Sequence, residues 1–185
     1  MRASREKDIM YLFFNHPSKQ WHFSQIKKEV LISDSKISKW LKKFQEEKLI
    51  IKIKPKEKMP YYIGNYESPE YINTKKLFGM NMLHQSGLLN HLYSLENTKT
   101  IIIFGSFSVG FWHSESDIDL FIYGNNKNLN LYKYEKKLGR EIQLFSCNNF
   151  KELRKYHGKL AANIIKGDFI KGYLSKEALQ NVLQN

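Results

Sequence analysis

Residues 100–123 read Thr-Ile-Ile-Ile-Phe-Gly-Ser-Phe-Ser-Val-Gly-Phe-Trp-His-Ser-Glu-Ser-Asp-Ile-Asp-Leu-Phe-Ile-Tyr. The two ends, Thr100–Phe104 and Leu120–Tyr123, are dominated by β-branched and aromatic residues and predict two buried strands. Side chains alternate along a strand, so Asp117, Asp119 and Phe121 fall on one face and Ile118, Leu120 and Ile122 on the other. Two carboxylates rooted about 6–7 Å apart on one face of a core strand repel each other and resist desolvation. A divalent cation is the usual remedy.

Between the strands lies Gly105-Ser106. A glycine at a strand end lets backbone approach a ligand closely. The N–H groups that follow, at the start of a short helix, favour a phosphate anion, and the Ser106 hydroxyl can donate to one of its oxygens. Four aromatic residues, Phe104, Phe107, Phe111 and Trp112, lie in the same stretch. Most are expected in the core, with Trp112 or His113 as candidates to touch a base or an acceptor.

Gly-Ser, ten residues, then Asp-Ile-Asp-Leu resembles the signature of the DNA polymerase beta-like nucleotidyltransferase superfamily. Gly105–Gly110 and Ser116–Leu120 are most similar to its minimal nucleotidyltransferase branch. The resemblance implies a small mixed sheet backed by helices, with Asp117 and Asp119 as Mg²⁺ ligands. It implies ATP or another nucleoside triphosphate as substrate and Gly105 and Ser106 as its phosphate loop. The reaction would carry a nucleotidyl group, AMP from ATP being one case, to a hydroxyl. Some minimal members are antitoxins that modify a partner toxin, so a protein acceptor of that kind is one expectation. The resemblance also implies a third acid on a neighbouring strand. Here Gln143 stands at that place in the run Gly139–Phe145, and a neutral amide is a poor Mg²⁺ ligand and no base. Glu141, two residues earlier and on the same strand face, is the substitute catalytic candidate; its alternative is a rim ion pair with Arg140 or a lysine.

The remainder reads as a second, basic module. The chain has 185 residues and a net charge of +12. Residues 1–64 hold 15 Lys and Arg against 7 Asp and Glu, and residues 65–185 hold 15 against 11. A helix is expected from about residue 4 to Asn15, with an extended piece Trp21–Phe23. A second helix capped by Ser24 and a third opened by Ser35 follow, the third burying Ile37, Trp40, Leu41 and Phe44. Two strands, Leu49–Lys54 and Tyr61–Ile63, complete the module. This order looks like a winged helix-turn-helix. Lys36, Ser38, Lys39, Lys42 and Lys43 on the third helix and Lys54, Lys56 and Lys58 on the hairpin are its candidate nucleic-acid contacts. No arginine occurs between Lys7 and Gly139, so phosphate contact is favoured over base readout.

The expected organisation is α+β: a winged helix-turn-helix over 1–64, a linker over 65–76 and a nucleotidyltransferase-like domain over 77–185. In the second domain a helix is expected over about 75–95, with Leu77, Met80, Leu83, Leu88, Leu92 and Leu95 mostly inward and His84 and His91 structural or on the surface. Helices are expected near 129–138, from Asn148 or Asn149 to about Tyr156, and at 160–165 and 175–183, with strands at 140–146 and 168–171. The single cysteine, Cys147, excludes an internal disulfide and reads as a buried thiol. No apolar run reaches a membrane span, and the charged N-terminus lacks a signal-peptide core, so the expected location is the cytoplasm. A rival reading is a DNA-binding regulator whose second domain is inactive or senses nucleotide.

Overall fold

The computed structural model describes residues 5–127, 129–149, 152, 155, 156 and 158–174. They form two compact units: Met1–Lys75 with Trp112–Ser114, and Lys76–Phe111 with Glu115–Asn185.

The first unit is built from α1 (Glu6–Asn15), β1 (Trp21–His22), α2 (Phe23–Val30), α3 (Asp34–Glu46), β2 (Ile50–Ile53) and β3 (Tyr61–Gly64). The strands form an antiparallel sheet in the order β1-β3-β2. Each helix turns one apolar stripe inward: Ile9, Phe13 and Phe14 from α1, Ile26 and Val30 from α2, Ile37, Leu41 and Phe44 from α3. Trp40 is only half-buried, and the Lys39 and Lys43 ammonium groups lie over its ring. The second helix starts at Phe23 rather than behind a Ser24 cap. His22 precedes it with extended backbone, and its N–H donates to Gln25 Oε1 at 3.0 Å, one half of a capping box in which His22, not Ser24, is the cap. The third helix begins at Asp34, after Ser33.

Most of the polar stretch 65–76, expected as a linker, is helical. Helix α4 runs from Pro69 to Ser86. Ser68 stands before Pro69 and accepts from the Tyr71 N–H through its hydroxyl at 3.4 Å, and proline is well suited to a first helical position. Tyr71 is buried, its hydroxyl donating to the Phe13 carbonyl at 2.8 Å and its ring edge-on to Phe14. Trp112, 0 % exposed, lies in this same unit, edge-on to Phe14, with its indole N–H donating to the Lys75 carbonyl.

In the second unit the helix expected over 75–95 is broken. α4 ends at Ser86, Gly87 takes φ +86°, and α5 (Leu88–Tyr93) follows. Leu83, Leu88 and Leu92 are buried, whereas Leu77 is 71 % exposed, against the expected inward stripe. His84 is exposed, and His91 stacks on Tyr134. The sheet comprises β4 (Thr98–Phe104), β5 (Ile118–Gly124), β6 (Ile142–Cys147) and β7 (Asp168–Lys171), with α6 (Gly105–Val109) between β4 and β5. α7 (Tyr132–Leu138) precedes β6, and α8 (Gly158–Ile165) precedes β7. The order is β6-β5-β4-β7. β4 is antiparallel to β5 and β7, while β5 and β6 are parallel, so the sheet is mixed. One face carries Ile102, Phe104, Phe121 and Tyr123 against Tyr156, Ala161 and Ile164.

Asn149 Oδ1 accepts from the Glu152 N–H at 3.1 Å. The rest of the helix expected there, and the helix expected at 175–183, lie outside the described residues. Among the described residues no helix is long and apolar enough to cross a membrane.

Candidate active site

β4 delivers the chain to Gly105, whose φ of +69° is a conformation that favours glycine. A Cβ at Gly105 would fall 2.0 Å from Asp119 Oδ2, so the absent side chain is what lets the carboxylate lie against the loop backbone. Sheet register sets up this approach, because Phe104 and Asp119 are antiparallel partners. The first turn of α6 is tied by the Ser108 hydroxyl donating to the Gly105 carbonyl at 3.0 Å. It closes with the Phe111 N–H donating to the Ser106 carbonyl at 2.9 Å, past Gly110 at φ +79°. Ser106 is half-buried at the start of this turn.

Asp119 lies within β5 and is half-buried, while Asp117 is exposed and stands one residue before the strand. Loss of hydration, and next the charge of Asp117, push the Asp119 carboxyl above its ordinary proton affinity. The pair is therefore close enough to interact, and a cation between them would relieve both effects. The donor set fits one oxygen-loving divalent ion beside a phosphate group.

The β5–β6 ladder pairs Asp119 with Gln143 and Ile118 with Ile142. Paired residues in a ladder share a sheet face, so the amide of Gln143 is what β6 sets beside Asp119. Glu141 is exposed and precedes β6, its carbonyl accepting from the Ile118 N–H at 2.9 Å. No group of three or more His, Cys, Asp or Glu able to hold a metal ion occurs among the described residues. Asp117 and Asp119 are thus brought together and Glu141 does not join them as a third member.

Sequence reasoning missed Arg140. It is 7 % exposed, its Nη1 donates to the Ser116 carbonyl at 2.9 Å, and its guanidinium lies 5.4 Å from the Phe107 ring centroid. It therefore ties together α6, the start of β6 and the residue before Asp117. An arginine between a glycine and a strand carries no signal of that role. Of the four aromatics near the motif, Phe104, Phe107 and Trp112 are buried and Phe111 is 60 % exposed. Burial removes Trp112 as a base-contacting residue, while His113 is exposed.

In the first unit Lys36, Ser38, Lys39 and Lys42 on α3 are exposed, as are Lys54, Lys56 and Lys58 beyond β2. Lys43 is committed elsewhere: its ammonium lies 2.7 Å from Glu6 and 3.5 Å from Glu47, and the Glu6 hydrogen bond raises its pKa. Lys42 lies 3.8 Å from Glu46.

Residues 88–173 match the family model described as Polymerase beta, Nucleotidyltransferase. The matched stretch contains α5, the whole four-stranded sheet and Gly105, Ser106, Asp117, Asp119, Arg140, Glu141 and Gln143, but none of the first unit's lysines. It supports a nucleotidyltransferase domain there and, for the chain, a general nucleotidyltransferase function. No curated protein and no solved structure matches the chain.

Proposed function

We propose that the second unit binds a nucleoside triphosphate, ATP in the first instance, with Mg²⁺ at Gly105, Ser106, Asp117 and Asp119. It transfers the nucleotidyl group to a hydroxyl of a protein or nucleic-acid acceptor. The observation that carries this reading is the approach of the Asp119 carboxylate to within a missing Cβ of the Gly105 backbone. It sets Asp119, two residues from Asp117, against the Gly105–Ser106 turn, which supports the reading of that turn as a phosphate loop. Bound Mg²⁺ would neutralise phosphate oxygens and hold attacking and leaving oxygens in line. The chain's own residues do the rest. Ser106 donates to a phosphate oxygen, and Asp117 and Asp119 hold the cation. Arg140 steadies the backbone just before Asp117. The acceptor oxygen bonds to the α-phosphorus as the bond to the β-phosphate breaks and pyrophosphate leaves. Glu141 is the carboxylate on β6's approach to take the acceptor's proton.

We read the first unit as a winged helix-turn-helix, with α3 as the helix offered to a groove and the β2–β3 hairpin as the wing. Lys36, Lys39, Lys54, Lys56 and Lys58, flanked by Ser38 and Lys42, would meet nucleic-acid phosphates in the cytoplasm. A second reading rests on Gln143 beside Asp119: a DNA-binding regulator whose nucleotidyltransferase domain senses nucleotide without turnover.

One experiment separates them. The protein is incubated with α-labelled ATP, Mg²⁺ and cell extract, beside Asp117→Asn and Asp119→Asn. The transferase reading expects label on a macromolecule, lost in both variants. A partner toxin is the protein acceptor to look for first. Metal-dependent ATP binding with no labelled product favours the sensor. ATP binding that is equal in all three proteins would sink the site.

A further inference from the structure

The geometry points to a site that holds one divalent cation with its nucleotide, not two, with Gln143 as the residue that excludes the second. This rests on the nucleotide-binding reading above.

Two-metal sites place their ions about 3.5–4 Å apart. Holding two such charges so close calls for carboxylates on more than one side, because Mg²⁺ draws the rest of its shell from phosphate and water. Asp117 and Asp119 come from a single stretch of chain. The second side is β6, whose backbone lies about 4.8 Å from that of β5. The residue it sets directly beside Asp119 is Gln143. Its amide oxygen is neutral and cannot offset a second double charge.

Among the described residues no neighbouring acid replaces it. Glu141 lies about 6–7 Å back along the same strand phase, is exposed, and forms no three-membered group with the two aspartates. Glu135 is engaged, accepting from the Ile142 N–H at 3.0 Å. Asp168 is the partner of Ile103 on β4, one residue out of phase with the Phe104–Asp119 pair. It therefore points to the opposite sheet face and lies 2.8 Å from Lys76.

The ion count is directly measurable with Mn²⁺, using the full chain saturated with the non-cleavable analogue α,β-methylene-ATP. Bound Mn²⁺ is read by electron paramagnetic resonance against free ion, and the analogue's own Mn²⁺ binding is measured without protein. The parent is expected to bind one ion per chain, and Gln143→Asp two. Gln143→Glu serves as the second variant if the first does not fold. Glu141→Gln is expected to leave the parent count at one. Two ions in the parent overturn the inference alone. So does a count of one in both folded position-143 variants, since the amide would then not be the cause. Failure of the parent to bind analogue and Mn²⁺ at all overturns the inference together with the reading beneath it.

Discussion

Gly105→Ala is the sharpest test of the site's construction. The added Cβ would lie 2.0 Å from Asp119 Oδ2 and 3.0 Å from its Cγ. Ordinary contact begins near 3.4 Å, so the carboxylate oxygen must retreat by about 1.4 Å. Rotation of a short side chain can achieve that, so the stability cost should come mainly from the backbone. A non-glycine residue at positive φ costs about 1–2 kcal/mol. For a unit of about 100 residues, that lowers the unfolding temperature by roughly 4–16 °C. The functional cost should be larger, because misplacing a reacting group by about 1 Å is worth roughly a hundredfold. Circular dichroism melts and Mg²⁺–ATP calorimetry read the two effects separately. Adding Gly105→Ala to Asp119→Ala removes the obstacle, so only the backbone cost should remain in the double variant. If Gly105→Ala binds Mg²⁺–ATP as tightly as the parent, the close approach of loop and carboxylate is refuted.

The Asp119 carboxyl has a raised folded-state pKa, so folding favours its neutral form. The metal-free protein should therefore lose stability as pH rises from the ordinary carboxylate range through that raised value. Asp119→Asn should lack this loss and melt above the parent at pH 7 in chelator; identical pH profiles would contradict it. Burial pushes the Cys147 thiol up to about 12, so it should not react with a thiol reagent at pH 8 until the protein is unfolded by denaturant, and prompt labelling of the native chain would place it at the surface. If the first unit binds duplex DNA through phosphates, each of Lys36, Lys39, Lys54, Lys56 and Lys58 changed to Gln should lower the slope of log affinity against log salt by roughly 0.9. Lys43→Gln should leave that slope nearly unchanged, because the lysine is held by Glu6; an equal slope change for Lys43 would return it to the contact surface.

The site's strands were legible because their signals are local. Thr100–Phe104 and Leu120–Tyr123 are continuous β-branched and aromatic runs, and the glycine and both aspartates sit at their ends. The bounds of the helix before them differ from the sequence expectation for two physical reasons. Pro69 reads as a breaker, yet at the first helical position its missing N–H costs nothing, and Ser68-Pro69-Glu70 is a start signal in hindsight. Gly87 reads as tolerable within an apolar periodicity, and only the left-handed backbone it adopts shows that the helix stops. Lys43 and Trp112 were illegible for another reason. Their partners, Glu6 and Phe14, lie 37 and 98 residues away, and no pattern within a window of sequence announces such a pairing. Gln143 took its expected place from the match of its strand to the family resemblance, and the β5–β6 ladder pairs it with Asp119.

The assignment of Trp112–Ser114 to the first unit bears on how this protein can be dissected. The polypeptide passes between the units three times, at 75/76, 111/112 and 114/115. A gene fragment ending at residue 75 would omit a fully buried indole from the first core, and truncating a buried tryptophan to alanine typically costs about 3–5 kcal/mol. A fragment beginning at residue 76 would carry that indole without the ring of Phe14 it meets in the whole chain. Separate expression should therefore give two damaged halves, and a single protease cut at 75/76 would leave Trp112–Ser114 covalently attached to the second unit. Exchange of either half among related genes would have to preserve three short residues' worth of sequence lodged inside the other half's reading frame, which ties the inheritance of the basic module to that of the motif loop.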